Sequence, residues 1–259
     1  MLVGFPGELV VDGSREGSEV VVFRHRREDS RIRQCGLDGI QQGSTEHLMA
    51  VLLTASSVPV EFVAETLLPT TRGEYRVRAY RDNFDSTEPV ALIQGQVADR
   101  EDVPVRVHDE CLTSEVLGSL KCDCREQLDH ALCYIRDNAP GVVIYLRQEG
   151  RGIGLANKIA AYALQEQGHD TVDANRLLGL PDDARRYEAA AGILADLGVR
   201  SVRLMTNNPR KIEKLRELGV VITGRIPVLI AANHHNAGYL EAKAERMGHD
   251  MLPGSLKLT

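Results

Sequence analysis

The sequence predicts a mixed α/β fold in which a strand-rich N-terminal half is followed by an alternating α/β region. Before residue 124, the patterned segments are short alternating or apolar runs, which are typical of strands. After residue 124, longer helical periods alternate with short β-branched runs, as in layered α/β proteins. A chain of 259 residues, 43% of them hydrophobic, can also bury a sizeable core.

Three strands are predicted in the N-terminal half. Residues 75–79 alternate apolar and basic side chains, which indicates a half-buried strand. Residues 90–97 and 103–108 are predicted to form the other two strands. This half of the chain therefore supplies much of the predicted sheet.

The alternating region begins with an amphipathic helix over residues 127–138. A buried strand is predicted over residues 142–146 because this run is apolar and rich in β-branched residues. A second helix covers residues 155–167, and Gly168 follows it as a helix-ending residue.

A third helix is predicted over residues 188–197, with Gly198 as its end, and a strand over residues 202–205. Asn208 and Pro209 then supply an N-cap and a first-turn proline for a fourth helix. Gly219 marks the end of that helix, so its boundaries are well defined by the sequence.

Charge and composition exclude several classes of protein. The chain has 31 basic and 37 acidic residues and a net charge of −6, which argues against a general nucleic-acid coat or a polybasic membrane binder. It has no apolar stretch of the ~20 residues that cross a bilayer and no signal-peptide pattern at its start. We therefore expect a cytoplasmic protein that binds neither nucleic acid nor membrane.

Three of the five cysteines, Cys111, Cys122 and Cys124, cluster in the sequence. Three thiolates can hold Zn²⁺ and leave a fourth position for water, as in catalytic zinc sites. The spacing alone leaves two alternatives open, namely buried structural thiols and a structural zinc site with a distant fourth ligand. Cys35 and Cys133 fall outside the cluster and are interpreted as packing residues.

The segment just before Cys111 carries alternating charged residues. If it is a strand, Arg106, His108 and Glu110 share one face and place a cation, an imidazole and a carboxylate beside the candidate metal site. Taken alone, such a triplet is more typical of a solvated strand edge.

A glycine-rich segment, residues 150–154, follows a predicted strand and precedes a predicted helix. A dinucleotide-binding loop occupies this place in Rossmann folds, and Asp170 follows at the appropriate distance. The fingerprint fails because its third glycine falls on Leu155 or Asn157. Phosphate or base contacts through backbone amides remain possible there. The sequence has no Walker A motif, which excludes a P-loop NTPase.

Two charged segments, residues 206–211 and 182–187, precede predicted helices. The first combines a hydroxyl, an N-cap, Arg210 and Lys211 at a helix N-terminus, which suits a polyphosphate. Without further context, an ordinary N-cap is the simpler interpretation. The second carries acidic residues that the helix dipole alone could favour.

Taken together, these segments resemble the GTP cyclohydrolase II family over roughly residues 60–250. The blocks that carry the resemblance occur in the family's order. They are RVHDECLT at 106–113, KCDCREQL at 121–128, YLRQEGRGIGL at 145–155, DTVDAN at 170–175, LMTNNPRK at 204–211 and YLEAKAERMGH at 239–249.

The resemblance implies a GTP cyclohydrolase II-like fold and a role for each matched residue. It implies one Zn²⁺ held by Cys111, Cys122 and Cys124. It further implies Asp183 as a proton acceptor and Arg185 as a nucleophile toward the α-phosphate. Tyr162 is implied beside the guanine. The implied GTP contacts are Arg106, Val107, His108, Asp109, Glu110, Gln127, Glu149, Gly150, Arg151, Thr171, Thr206 and Lys211.

The family's chemistry would make the protein the first enzyme of riboflavin biosynthesis. Zinc-activated water opens the guanine imidazole ring of GTP, and formate and pyrophosphate leave. The resemblance also implies Mg²⁺ with the triphosphate and a homodimer. Because an arginine is a poor nucleophile while its pKa exceeds ~12, Arg185 could instead stabilise the leaving phosphate.

Several positions depart from the family pattern. Asp109 stands where the family commonly has Ser, and Ser114 and Glu115 stand where it has Gly and Asp. Arg125 replaces a Gly, and Arg186 replaces an acidic residue. Asp109 adds a negative charge near a polyanionic substrate, which bears on affinity or substrate identity.

We divide the chain into an extension, residues 1–58, and a catalytic domain, residues 59–259. The extension contains no motif, although residues 20–23 fit a strand and residues 48–53 fit a helix. It is too short for the dihydroxybutanone-phosphate synthase domain that bifunctional relatives carry at this end.

Two alternative functions remain open at the level of sequence. One is a paralogue that opens the ring and stops at the formamidopyrimidine, against which Tyr162 argues weakly. The other is a catalytically silent GTP-binding regulator, against which the three cysteines, Asp183 and Arg185 argue because a pure binder would need none of them.

Overall fold

The structure of the protein is a computed structural model that describes residues 58–231 and Asn236, without the side chains of residues 171 and 172. The predictions for residues 20–23 and 48–53, and the block at 239–249, lie outside the described residues. Within the described part of the chain, no helix is long and apolar enough to cross a membrane.

Within residues 58–231, seven strands form one mixed sheet in the order β1-β2-β3-β5-β4-β6-β7. The first four strands in that order pair antiparallel, whereas β5, β4, β6 and β7 run parallel. The strands are β1 (Val60–Thr70), β2 (Gly73–Asp82), β3 (Val90–Gln94), β4 (Val103–Asp109), β5 (Gly141–Leu146), β6 (Val202–Met205) and β7 (Ile222–Ile226).

Six helices connect or follow these strands in the described part of the chain, and the mixed α/β class predicted from the sequence is confirmed. A 3₁₀ turn, Glu149–Gly152, also lies between β5 and the next helix. The helices are α1 (Leu112–Glu115), α2 (Cys124–Asp137), α3 (Leu155–Gln165), α4 (Thr171–Leu177), α5 (Glu188–Asp196) and α6 (Pro209–Glu217).

The core lies on both faces of the central strands β4 and β5. On one face, Val105, Ile144 and Ile193 belong to a large buried cluster to which α5 contributes. On the other face, Val143 packs with Ile135 of α2 in a smaller cluster. Burial on both faces is typical of the parallel part of a sheet, and it explains the apolar runs in the sequence.

The predicted elements agree with the observed ones except near their ends. The helix predicted from residue 127 begins at Cys124, so one of the clustered cysteines lies in its first turn, with Asp123 as the N-cap. The strand predicted over residues 90–97 ends at Gln94. Gly198 and Gly219 follow their helices with positive φ, as predicted for helix-ending glycines.

Four elements, β1, α1, α4 and β7, were not predicted. Strand β1 is an edge strand whose residues are almost all exposed, so it shows no alternation of burial. Its strand geometry comes from pairing with β2 rather than from a local pattern. Helices α1 and α4 have only four and seven residues, which is too short for a helical period to stand out.

The core cluster around α5 provides a test of the packing. Ile193 is fully buried, so Ile193→Ala should lower the free energy of unfolding by about 2–5 kcal/mol. Chemical denaturation followed by circular dichroism measures this change. As the matched control, Ile159→Ala removes the same atoms from a side chain that is 49% exposed and should change stability by less than about 1 kcal/mol. Equal losses in the two variants would contradict this assignment of the core.

Candidate active site

A large cleft opens at the carboxyl ends of the parallel strands β4, β5 and β6. Ligand sites of open α/β sheets are found at this edge because the loops that leave the strands converge there. The cleft holds about 1190 Å³ of space including its open mouth. Its lining includes Arg106, His108, Asp109, Glu110, Cys111, Cys122, Cys124, Gln127, Glu149, Gly150, Arg151, Lys158, Tyr162, Asn175, Arg185, Thr206 and Lys211.

Three cysteines form the candidate metal centre. Cys111 follows β4, and Cys122 and Cys124 lie at the start of α2, where the chain returns to the same edge of the sheet. Their sulfur atoms all lie within 4.8 Å of one another, and the Sγ atoms of Cys111 and Cys122 are 3.6 Å apart. With Zn–S bonds of about 2.3 Å, tetrahedral zinc needs sulfurs about 3.8 Å apart. The three thiols therefore fit a zinc ion with an open fourth position.

Lys158 of α3 places an ammonium group next to this thiol cluster. Its Nζ lies 3.0 Å from the Sγ of Cys111 and 2.8 Å from Oε1 of Glu149. Hydrogen bonds from Cys122 and Cys124, together with Lys158, lower the pKa of Cys111, which favours the thiolate that a metal requires. Burial lowers the pKa of Lys158, but Glu149 and Cys111 more than reverse this, so the ammonium stays protonated.

Glu149 connects the 3₁₀ turn after β5 to the segment that carries Cys111. Its Oε2 accepts a hydrogen bond from the backbone N–H of Leu112 at 2.7 Å. Its Oε1 accepts from the backbone N–H of Gly150 at 2.8 Å. The carboxylate therefore fixes the turn relative to the thiols, in addition to pairing with Lys158.

His108 is buried on β4 and is oriented by Glu115 of α1. The Nε2 of His108 is 2.8 Å from Oε1 of Glu115, and the hydroxyl of Tyr145 donates to Oε2 of the same carboxylate at 2.6 Å. Burial lowers the pKa of His108, so the imidazole is neutral near pH 7, with its proton on Nε2 toward the carboxylate. Its Nδ1 is then an acceptor, and it has no hydrogen-bond partner among the described residues.

Arg106 and Gln127 form a second polar contact on the wall of the cleft. The Nη2 of Arg106 donates to Oε1 of Gln127 at 2.6 Å, and its Nη1 donates to the carbonyl of Met205 at 2.9 Å. Gln127 also donates to Asp123. Burial lowers the pKa of Arg106, and the nearby carboxylates of Asp109 and Asp123 oppose this shift.

A cluster of charges surrounds Arg185, which precedes α5. Asp183 binds this guanidinium in a bidentate manner, with Nε to Oδ1 at 2.9 Å and Nη2 to Oδ2 at 2.6 Å. The Nη1 of Arg185 donates to Oδ2 of Asp109 at 3.0 Å. Burial lowers the pKa of Arg185, but Asp183 and Asp109 raise it well above its usual value. Burial raises the pKa of Asp183, which Arg185 outweighs, so this carboxylate is ionised.

Lys211 reaches the same cluster from the first turn of α6. Asn208 caps this helix by accepting from the backbone N–H of Arg210, which confirms the predicted N-cap. The Nζ of Lys211 donates to the carbonyl of Val107 at 2.8 Å and to Oδ2 of Asp109 at 2.9 Å. Burial lowers the pKa of Lys211 to about 8, with Arg106 and Arg185 acting in the same direction and Asp109 opposing them.

The glycine-rich segment passes close to the backbone next to Arg185. A Cβ on Gly152 would lie 3.0 Å from the carbonyl carbon and oxygen of Ala184, and φ at Gly152 is +85°. The backbone N–H of Ala184 also donates to the carbonyl of Arg151 at 3.0 Å. Only glycine fits this contact, because any side chain would push the segment carrying Arg185 away from the turn.

The structure brings most of the sequence-predicted site residues into one cleft. Tyr162 lies there on α3, with Nζ of Lys121 4.8 Å from its ring centroid. Two predicted residues whose side chains are described do not line the cleft. The side chain of Val107 is buried in the core, while its carbonyl accepts from Lys211, and Asp183 contacts the guanidinium of Arg185. Thr171 begins α4, and its side chain is not among those that the structure describes.

Sequence reasoning missed three residues at this site, namely Lys158, Glu115 and Asn175. Lys158 and Tyr162 are four positions apart on one helix, so helical spacing could have placed both on the same face. Glu115 lies four residues after Cys111, and its carboxylate accepts from the backbone N–H of Cys111 at 3.1 Å. Asn175 is buried at the cleft without a sequence signal that would have singled it out.

The arrangement can therefore combine two chemical tasks in one cleft. The thiol cluster can hold a metal that activates water, and Arg185 and Lys211 can bind a phosphate group. The neutral imidazole of His108 and the ring of Tyr162 lie among the residues that line the same space.

Comparison with known proteins gives a family match. Residues 61–227 match the family model described as GTP cyclohydrolase II. This range contains the whole sheet except the first residue of β1, and it contains all three clustered cysteines.

Individual relatives agree with this match. The GTP cyclohydrolase-2 of Acinetobacter baumannii is 50% identical over 193 residues, which cover 74% of this chain and 96% of that protein. The riboflavin biosynthesis protein RibBA of Nocardia farcinica is 53% identical over 191 residues, which cover 73% of this chain and 46% of that protein. The RibBA of Synechocystis is 52% identical over 183 residues, which cover 70% of this chain and 33% of that protein. The chain thus spans about half or less of the length of these RibBA relatives.

The metal centre gives a test that does not depend on activity. The purified protein should contain one zinc ion per chain, and Cys122→Ser should lose most of it because a hydroxyl is a poor ligand for zinc compared with a thiolate. Elemental analysis by inductively coupled plasma mass spectrometry measures the content. As the control, Cys133→Ser changes a cysteine outside the cluster and should leave the zinc content unchanged. Retention of zinc by Cys122→Ser would remove this residue from the ligand set.

Proposed function

The chain belongs to the GTP cyclohydrolase II family. We propose that it catalyses the zinc-dependent hydrolysis of GTP that is the first step of riboflavin biosynthesis. The reaction opens the guanine imidazole ring, releases formate and pyrophosphate, and yields a diaminopyrimidine ribosyl phosphate. The observation that carries this proposal is the presence of a three-thiol centre and the Arg185–Lys211 pair in one cleft. A substrate with a hydrolysable ring at one end and a polyphosphate at the other fits that combination.

At the ring end of the substrate, Cys111, Cys122 and Cys124 would hold the zinc. Bound there, zinc supplies Lewis acidity and lowers the pKa of a water molecule to about 7. Lys158 adds a positive charge beside Cys111, and Glu149 fixes the position of that charge. The neutral imidazole of His108 can accept a hydrogen bond through Nδ1, and Tyr162 offers an aromatic surface for the guanine.

At the phosphate end, the candidate groups are Arg185, Lys211, Thr206 and the N-terminus of α6. Arginine and lysine bind phosphate oxygens as charged donors, and the helix dipole adds a partial positive charge. We propose that Mg²⁺ accompanies the triphosphate, because two carboxylates, Asp109 and Asp183, already partly neutralise the cations of this region.

The contacts of Arg185 favour a charge-stabilising role over the nucleophilic one that the family resemblance implies. A guanidinium attacks phosphorus only after it loses a proton, and two bound carboxylates raise its pKa. Asp183, whose pKa is lowered by the same pair, is a poor acceptor for that proton. We therefore propose that Arg185 stays protonated and stabilises the charge on the departing pyrophosphate.

Four further assignments belong to this proposal. The catalytic domain covers residues 59–259 and residues 1–58 form an extension, which is supported by a family match that begins at residue 61. We also propose a homodimer, which the family resemblance implies, and a cytoplasmic location. That the chain binds no nucleic acid is supported by its net charge of −6.

The deciding experiment incubates zinc-loaded protein with GTP and Mg²⁺ and measures formate, pyrophosphate and the pyrimidine product separately. Equal amounts of all three products would support the proposal. A formylated pyrimidine without free formate would identify the paralogue that stops after ring opening. GTP binding without turnover, in protein with a measured zinc content, would identify a silent regulator and would contradict the enzymatic proposal.

The role of Arg185 can be tested by a conservative substitution. If Arg185 acts by its charge, Arg185→Lys should keep a measurable part of pyrophosphate release, whereas Arg185→Met should lose about 100-fold or more. A coupled pyrophosphate assay measures both. If Arg185→Lys is as inactive as Arg185→Met while both variants still bind zinc and GTP, the nucleophilic role is the correct one.

The lowered pKa of Lys211 predicts that the affinity for GTP depends on pH. Its pKa of about 8 means that the ammonium is present below that pH and is lost above it. The KM for GTP should therefore rise between about pH 7 and about pH 9, because the neutral amine no longer attracts phosphate. Lys211→Arg stays protonated over this range and should show a flatter profile. Parallel KM profiles in the two proteins would mean that another group titrates.

A further inference from the structure

Asp109 is a carboxylate in the part of the cleft where the proposed function places phosphate groups. It is the last residue of β4, its side chain is 11% exposed, and it lines the cleft beside the two proposed phosphate-binding cations. A negative charge there opposes a polyanion, so its presence needs a physical account.

Both cations meet on one oxygen atom of this carboxylate. Oδ2 of Asp109 accepts from Nη1 of Arg185 at 3.0 Å and from Nζ of Lys211 at 2.9 Å. The two cations come from different parts of the chain, since Arg185 precedes α5 and Lys211 lies in the first turn of α6. Two cations that donate to one oxygen atom lie close together, and they would repel each other without an anion between them.

Among the groups that hold the two cations, Asp109 is the one that contacts both Arg185 and Lys211. Asp183 holds two nitrogens of Arg185, and the carbonyl of Val107 holds Lys211. Neither group contacts both cations. The other oxygen of Asp109, Oδ1, is buried and has no hydrogen-bond partner among the described residues, so this carboxylate is not saturated by its own protein contacts.

Donor capacity remains on the two cations after these contacts. A guanidinium has five N–H donors and an ammonium has three, whereas the contacts above use three on Arg185 and two on Lys211. The bridge therefore holds both groups in place and still leaves N–H groups that phosphate oxygens can accept from.

We propose that Asp109 is a positioning residue that aligns Arg185 and Lys211 for the leaving pyrophosphate and, by its charge, weakens pyrophosphate binding. This inference rests on the proposed function for its catalytic half, whereas its binding half concerns pyrophosphate alone. The hydrogen bonds of Asp109 promote turnover, and its negative charge speeds product release.

Two substitutions separate the hydrogen bonds from the charge. Asp109→Asn removes the charge and keeps an acceptor oxygen of the same shape, whereas Asp109→Ala removes both. Pyrophosphate should bind about tenfold more tightly to both variants, which corresponds to a charge–charge repulsion of about 1.4 kcal/mol, near the value for two charges in a well-hydrated cleft. The kcat for GTP should fall strongly in Asp109→Ala and less in Asp109→Asn, because the asparagine keeps the shared acceptor oxygen although it no longer offsets the repulsion between the two cations.

Binding of inorganic pyrophosphate is measured by isothermal titration calorimetry on the zinc-loaded full chain at fixed Mg²⁺, and kcat and KM come from formate and pyrophosphate release. Asp99→Asn serves as the matched control. This residue pairs with Arg200 at the surface and is 83% exposed, so its substitution should leave both pyrophosphate binding and turnover unchanged.

Two results would overturn the inference. One is pyrophosphate binding that is unchanged or weaker in Asp109→Asn. The other is an equal loss of kcat in Asp109→Asn and Asp109→Ala, which would show that the hydrogen-bonded bridge has no role of its own. If the wild-type chain binds pyrophosphate but does not turn over GTP, the proposed function fails while the calorimetry still decides the effect of the charge.

Discussion

The burial of strand β4 on both faces is the constraint on which the rest of the site depends. Six consecutive residues of this strand are buried between β5 and β6. Successive side chains of a strand point to opposite faces of the sheet. Because Val105 and Val107 lie in the core cluster that includes α5, Arg106 and His108 lie on the opposite face. Buried polar groups need partners, and these two residues find them in α2, α1 and the carbonyl of β6.

The site that follows from this constraint contains cations paired with carboxylates, and it is therefore not a simple basic pocket. Three of the cations at the cleft carry a carboxylate partner, namely Lys158 with Glu149, Arg185 with Asp183 and Lys211 with Asp109. Removing one member of such a pair leaves an uncompensated buried charge, which costs far more than the pair contributes. The carboxylates therefore set both the protonation and the direction of the groups that face the substrate, and Asp109 does so for two cations at once.

Most helices and strands after residue 70 could be predicted because their patterns are local. The strand at residues 202–205 and the helix that Asn208 and Pro209 begin are found as predicted, since an apolar run and a cap are readable without knowing the neighbours. Strand β1 could not be predicted, because an exposed edge strand depends on its hydrogen-bonded partner β2 and not on its own alternation. The one-turn helix α1 was missed for a related reason, and with it the contact of Glu115 to His108.

The sequence by itself determined the mixed α/β class, the three clustered cysteines and the family, because spacing and order of residue types are properties of a linear chain. Only the tertiary structure decided which groups share an atom-scale contact. The meeting of Arg185 and Lys211 on one oxygen of Asp109 joins residues 76 and 102 positions apart. The approach of Lys158 to Cys111 spans 47 positions. Such contacts depend on how the loops converge at the carboxyl edge of the sheet, and no local propensity encodes that convergence.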